Sequence, residues 1–177
     1  MTTTSSKLKI LHESVSHRAD ALHSRHAAFT QCKSGCADCC QDELTVFDIE
    51  AHRIVDFVAK NAATPLRLHP PGQCAFLHPE TRGCQIYEVR PYVCRTQGLP
   101  LRILEESDHG WDEYRDICPL NDDPEHPIEL LAADDCWEIG PIEESLWRLT
   151  SDSGDGSPID RRLNLRRVAE RVESSDR

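Results

Sequence analysis

Apolar residues recur at helical spacing over residues 7–29, where Leu8, Leu11, Val15, Ala19, Leu22 and Phe29 fall near one stripe. Ser5 or Ser6 is placed to cap that helix. A second periodic stretch follows Asp48, which reads as an N-cap, and sets Ala51, Ile54, Val55, Val58 and Ala62 on one face. Between the two, periodicity vanishes. Residues 30–42 read Thr-Gln-Cys-Lys-Ser-Gly-Cys-Ala-Asp-Cys-Cys-Gln-Asp, small, polar and rich in sulfur, with Gly35 allowing a tight turn. Leu44 to Phe47 is a short extended connection.

Beyond residue 62 the pattern shortens. Pro65, Pro70, Pro71 and Gly72 mark a loop. Cys74-Ala-Phe-Leu and Cys84-Gln-Ile-Tyr flank a polar segment and predict a small hairpin with Gly83 in its turn. Pro91 suits the first turn of a helix, since it lacks only an N–H that this turn leaves unbonded, and Cys94 would lie in that turn or the next. Leu99 to Leu104 reads as extended. From Asp112 onward the chain reads as broken helix, with Pro119, Pro124 and Pro127 as breaks. Ile128–Ile139 and Ile142–Leu149 are two predicted helices separated at Gly140-Pro141. Ser151 to Ser157 has the composition of a flexible linker. The arginine-rich segment from Pro158 to Arg177 carries a narrow seam of Leu165, Val168 and Val172 and reads as a solvated helix or frayed tail. The expected fold class is mainly α with a small β-hairpin. Its parts are an N-terminal helix (1–29), a cysteine-cluster domain (30–120), its helical continuation (121–150), and a linker with a charged tail helix (151–177).

Charge and composition narrow the function. Of 177 residues, 20 are Lys or Arg and 31 are Asp or Glu, a net charge of −11. Such a chain is repelled by nucleic-acid phosphates and anionic membrane surfaces, so neither is an expected partner. No run of about 18 apolar residues offers a membrane span. The apolar share is 38%, below the ~45–50% of ordinary soluble domains, so the hydrocarbon core is modest. Nine cysteines are the departure that matters. The N-terminal residues lack the apolar run of a signal peptide, so the expected compartment is the reducing cytoplasm. There, closely spaced cysteines bind metal more often than they pair, and an odd total fits a disulfide framework poorly.

The first cluster is C-x3-C-x2-C-C at Cys32, Cys36, Cys39 and Cys40. Cys74, Cys84 and Cys94 follow, nine residues intervening at each gap, then Cys118 and Cys136. A C-x2-C turn brings two thiolates to one ion or cluster with little backbone strain. Adjacent Cys39 and Cys40 tend to point apart. They would serve two centres, or one would be a ligand and the other a packed or redox-active thiol. Lys33, Arg82, Arg90 and Arg95 lie near these cysteines in sequence and would offset the thiolate charge; Arg90 and Arg95 would sit just behind the ligands or face a bound cofactor or substrate. Cys136, beside Trp137, reads as a buried apolar thiol. His23 and His26 read as polar-face residues of the first helix. No P-loop, dinucleotide fingerprint, nucleophile elbow or H-E-x-x-H occurs.

The run from Cys32 to Cys40, with Cys74-Ala-Phe-Leu, Gly83-Cys84-Gln-Ile-Tyr87-Glu-Val-Arg90-Pro91-Tyr-Val-Cys94-Arg95 and Cys118-Pro119, resembles the YkgJ-type cysteine-cluster family of zinc- or iron-chelating domains. The likeness spans residues 30–120, with a first gap of three residues rather than two. It implies a cysteine-bound metal centre and no particular reaction; a flagellin lysine N-methylase has a similar cysteine set. All-thiolate ligation suits zinc and iron–sulfur alike. Structural zinc sites usually join two C-x2-C knuckles, and here there is one. A [4Fe–4S] cluster takes a local group plus a distant cysteine, often next to proline, as at Cys118-Pro119. The expected cofactor is therefore an iron–sulfur cluster, with zinc as the alternative. Cys36, Cys39, Cys84 and Cys94 are the first four expected ligands, and Cys32, Cys40, Cys74 and Cys118 a second group. The expected role is structural or electron-transferring, toward an unidentified protein or redox partner. A zinc scaffold or a metal-dependent modifying enzyme are the competing readings.

Overall fold

The computed structural model describes residues 3–33, 35–152 and 162–175. Helix α1 runs Thr4–Arg25; the Thr3 hydroxyl, not Ser5 or Ser6, caps it by accepting the Ser6 N–H. Its stripe of Leu8, Val15, Ala19 and Leu22 is buried, and His12 is buried with it. Strand β1 (Thr45–Phe47) leads directly into α2 (Asp48–Lys60). The cap residue is Phe47, one position before Asp48, and Glu50 supplies the missing acceptor by taking the Phe47 N–H at 3.2 Å.

The expected hairpin over 74–87 is reduced to one bridge, Leu77 to Cys84. Flanking bonds run from Gln85 N–H to Phe76 O at 2.9 Å and from His78 N–H to Gly83 O at 2.8 Å. The positive φ falls on Arg82 (55°) rather than Gly83. A turn of 3-10 helix at Tyr87–Val89 follows, then α3 (Tyr92–Thr96), opened by Pro91 as its N-cap.

The largest departure from the sequence pattern comes next. Strand β2 (Leu101–Ser107) turns back into β3 (Gly110–Asp116), where broken helix was expected, and the pair is antiparallel with Leu101 opposite Asp116. β3 is an edge strand with an exposed face, so it carries no hydrophobic alternation to betray it. Residues 128–139 form two turns of 3-10 helix and the short strand β4 (Trp137–Glu138), not a helix. β4 lies parallel to β2, Leu101 against Trp137, and this pairing buries both Cys136 and Trp137. Helix α4 (Gly140–Asp152) contains the predicted 142–149 segment, but Gly140-Pro141 opens it instead of breaking the chain before it.

Strand β5 (Arg162–Asn164) pairs antiparallel with β1, Val46 facing Leu163, and runs into α5 (Leu165–Ser175). The seam is not solvated: Leu165, Val168, Ala169 and Val172 are buried in the core. The expected linker overlaps the end of α4 at Ser151, and residues 153–161 lie outside the described residues.

Two apolar clusters result. One packs α2, the 74–89 segment and α5 around Ile54, Phe76 and Leu77. The other packs α1, α3, α4 and β4 around Leu8, Leu99, Trp137 and Leu146. Tyr92 joins the second through its hydroxyl, which accepts the Trp137 indole N–H at 2.8 Å. Cys40, Cys74, Cys84 and Cys94 lie in or against the first cluster. Among the described residues no helix is long and apolar enough to cross a membrane.

Candidate metal centre

Asn121 organises the first group of sulfurs. It is buried, and it accepts the Gln31 N–H at 2.7 Å. Its amide group donates to Gly98 O at 2.7 Å and to the Cys32 sulfur at 3.4 Å. Its own N–H bonds to Cys118 O at 2.7 Å. One side chain thereby ties the Cys118 turn to the start of the cysteine loop, 89 residues away for Cys32. Gly98 makes room: with φ +86°, it faces Cys32 so closely that a Cβ would stand 2.5 Å from the sulfur. Burial raises the Cys32 thiol above its ordinary pKa. The Asn121 bond opposes this, and the nearby Cys36, Cys39 and Cys118 add to the rise. Cys32, Cys36, Cys39 and Cys118 thus share one neighbourhood, Cys32 exposed and the other three partly buried.

The second group lies deeper. Cys74 is buried, and its N–H bonds to Cys40 O at 2.8 Å. Cys40, Cys84 and Cys94 all pack against the same apolar cluster. Burial raises the thiol pKa of Cys74, Cys84 and Cys94. For Cys94, Cys74 and Cys84 add to the rise. Cys39 is raised by its thiol contact with Cys40 and by burial, so the adjacent pair touches where the two groups meet. Cys36, Cys39 and Cys118 lie near Cys32, and Cys74 and Cys84 lie near Cys94. Asn121 ties the Cys118 turn to the first loop, and the Leu77–Cys84 bridge closes the 74–84 segment. Cys136 is fully buried beside Trp137 and outside both groups.

The arginines take separate posts. Arg90 stacks on Tyr87, 4.0 Å from guanidinium carbon to ring centroid. Its charge favours the Cys84 and Cys94 thiolates, and its Nε is buried with no hydrogen-bond partner among the described residues. Arg95 donates to Arg90 O, Ser16 Oγ and Glu88 O at 2.8, 2.7 and 3.2 Å. Burial, with the charges of Arg90 and Arg53, lowers its pKa to about 10. Arg82 is exposed, and its guanidinium donates to Gln73. His26 does not lie on a polar face: it is buried, its Nε2 2.7 Å from Asp135 O.

Two supports escaped the sequence reading. Arg166 on α5 pairs with Asp42 and donates to the carbonyls of His69, Pro70 and Gln73, at 3.1, 3.2 and 2.8 Å. It clamps the chain beside Cys40 to the chain before Cys74. Burial works against the Asp42 carboxylate, yet the Gly72 N–H and Arg166 hold its pKa below the usual value. Glu50, also buried, accepts from His12 Nε2 at 2.8 Å and from the Tyr92 N–H at 2.6 Å, fixing the start of the helix that bears Cys94. Only a buried acid within an apolar face would have signalled it.

Among the described residues, no three Cys, His, Asp or Glu side chains converge on one point as metal ligands. The donor set nevertheless suits a thiophilic centre: eight free thiols, a glycine that leaves room for one of them, and buried N–H donors at Asn121 and Arg90. The class defined is a cysteine-rich metal-binding protein. The chain belongs to the CxxCxxCC family, described as a zinc- or iron-chelating domain, whose model matches residues 31–119. That span holds all eight clustered cysteines and excludes Cys136. We find no match among curated proteins or solved structures.

Proposed function

We propose that the protein carries two metal centres, each held by four cysteines, and that both are iron–sulfur clusters. Cys32, Cys36, Cys39 and Cys118 hold the outer centre; Cys40, Cys74, Cys84 and Cys94 hold the inner one. The observation that supports this reading is that Cys36, Cys39 and Cys118 lie near Cys32 while Cys74 and Cys84 lie near Cys94, with Cys40 against Cys39 and its carbonyl bonded by the Cys74 N–H. Iron–sulfur ligation is supported by the outer set, a local triplet completed by a distant cysteine followed by proline. Asn121 already donates to one sulfur, and Arg90 offers a further buried donor beside the inner set; such bonds tune the potential of a cluster. Exposure divides the roles. The outer set reaches the surface at Cys32 and suits electron exchange with a protein partner, while the inner set ties the 74–94 segment to the core.

Zinc is the second reading, favoured by the burial of the inner set, which resembles a closed structural site. Anaerobic purification with iron, sulfide and zinc analysis tests the choice. The iron–sulfur reading requires a brown protein with a visible charge-transfer band and acid-labile sulfide matching its iron. Colourless protein with stoichiometric zinc and no sulfide would overturn it.

A further inference from the structure

A cleft of about 490 Å³ opens between α1, α2 and the 88–95 segment, and Arg95, the residue after Cys94, lines it. Its size suits a small molecule. Two guanidiniums line it. Among the described residues the Arg53 side chain makes one hydrogen bond, from Nη1 to His12 Nδ1 at 3.0 Å. Arg95 donates only to neutral oxygens, two backbone carbonyls and the Ser16 hydroxyl. Neither forms an ion pair among the described residues, although the chain has eleven more acidic than basic residues (31 − 20). A guanidinium has five N–H donors, so Arg53 keeps four to spare and Arg95 two. At Arg95 the charges of Arg90 and Arg53 act against its own, while Glu50 offsets part of this at both Arg95 and Arg53 and Glu13 does so at Arg53. Lys9, the remaining strong cation of the cleft, is already engaged by Glu13 at 3.7 Å.

We propose that this cleft binds a small-molecule carboxylate, held between Arg53 and Arg95. A bound carboxylate satisfies spare donors on both residues and relieves their repulsion; paired N–H···O geometry is what a guanidinium does best. Ser16 and the carbonyls of Glu88 and Arg90 hold the Arg95 fork in place, and His12 does the same for Arg53. Glu13, Asp20 and Glu88 also line the cleft and disfavour a doubly charged phosphate. The inference does not depend on which metal the cysteines hold.

The test is an NMR titration of the metal-loaded full chain, following the arginine Nε–H signals at constant ionic strength set with chloride. Acetate and inorganic phosphate are the two probes. Acetate is expected to shift the Arg53 and Arg95 signals saturably and more tightly than phosphate does. Arg53→Gln should weaken acetate binding about tenfold, the loss of one charge-assisted contact. Ser16→Ala, which frees Arg95 without removing a charge, should weaken it less while metal content is kept. No saturable shift, equal binding in Arg53→Gln, or tighter binding of phosphate than acetate would overturn the proposal.

Discussion

Gly98 shows how one missing side chain shapes the outer sulfur group. Its φ of +86° and its approach to Cys32 are separate constraints, and other glycines meet only the first. Gly110 (φ +122°) has nothing within 4 Å of the place a Cβ would occupy. Gly98→Ala should therefore cost more than the ~1–2 kcal/mol of left-handed strain, and also lower metal content. Gly110→Ala should show the strain alone, with metal content intact. Denaturant midpoints and metal analysis of both variants check this. Asn121→Ala strands the buried Gly98 O and removes the acceptor of the Gln31 N–H, and is expected to cost about 1–3 kcal/mol.

His12 adds a pH signature. A guanidinium only donates, so His12 Nδ1 accepts from Arg53 and Nε2–H donates to Glu50, which requires a neutral ring. Burial lowers its pKa below 6.5, outweighing Glu50, while the Arg95 and Arg53 charges act in the same direction as burial. The unfolded chain then binds a proton that the folded chain refuses. The His12 contribution is complete above an unfolded value of about 6.5 and is lost as pH falls from there to the lower folded value. Denaturation at about pH 7 and about pH 5 should show this fall, and His12→Gln should flatten it.

Among the elements, α5 is the one whose seam of Leu165, Val168 and Val172 was visible in the sequence but whose partner was not. Periodicity marks which face is apolar; it does not say what covers it. Here β5 pairs with β1 and aligns α5 against α2, and Arg166 reaches the chain on either side of the inner cysteines. Leu165→Ala should destabilise by about 2–5 kcal/mol, measured by denaturation of the full chain. Arg166→Ala should loosen the 69–73 segment and release metal from the inner set before the outer one, followed by chelator kinetics. The helices α1, α2 and the core of α4 were legible because each lays an apolar face against one of the two clusters. The strands β3 and β4 were not. β3 is exposed along most of its length, and β4 is two residues long, so each is fixed by pairing with β2 rather than by its own pattern.

At the scale of the whole molecule, Cys40, Cys74, Cys84 and Cys94 gather in or against the first of two modest apolar clusters. The sequence displayed every clustered cysteine, and the family likeness it suggested is the family the chain belongs to. The proposed partition of those cysteines was hidden, because it draws on tertiary bonds from Asn121 and on the bridge at Leu77 and Cys84. The partition is also what the functional reading rests on most heavily. It is tested by metal stoichiometry in two single variants, Cys118→Ser and Cys94→Ser, purified anaerobically beside the parent chain. Two centres predict that each variant keeps about half of the parent's metal, and that the double variant keeps almost none. If both single variants empty the protein alike, or if neither loses metal, the two-centre account is wrong.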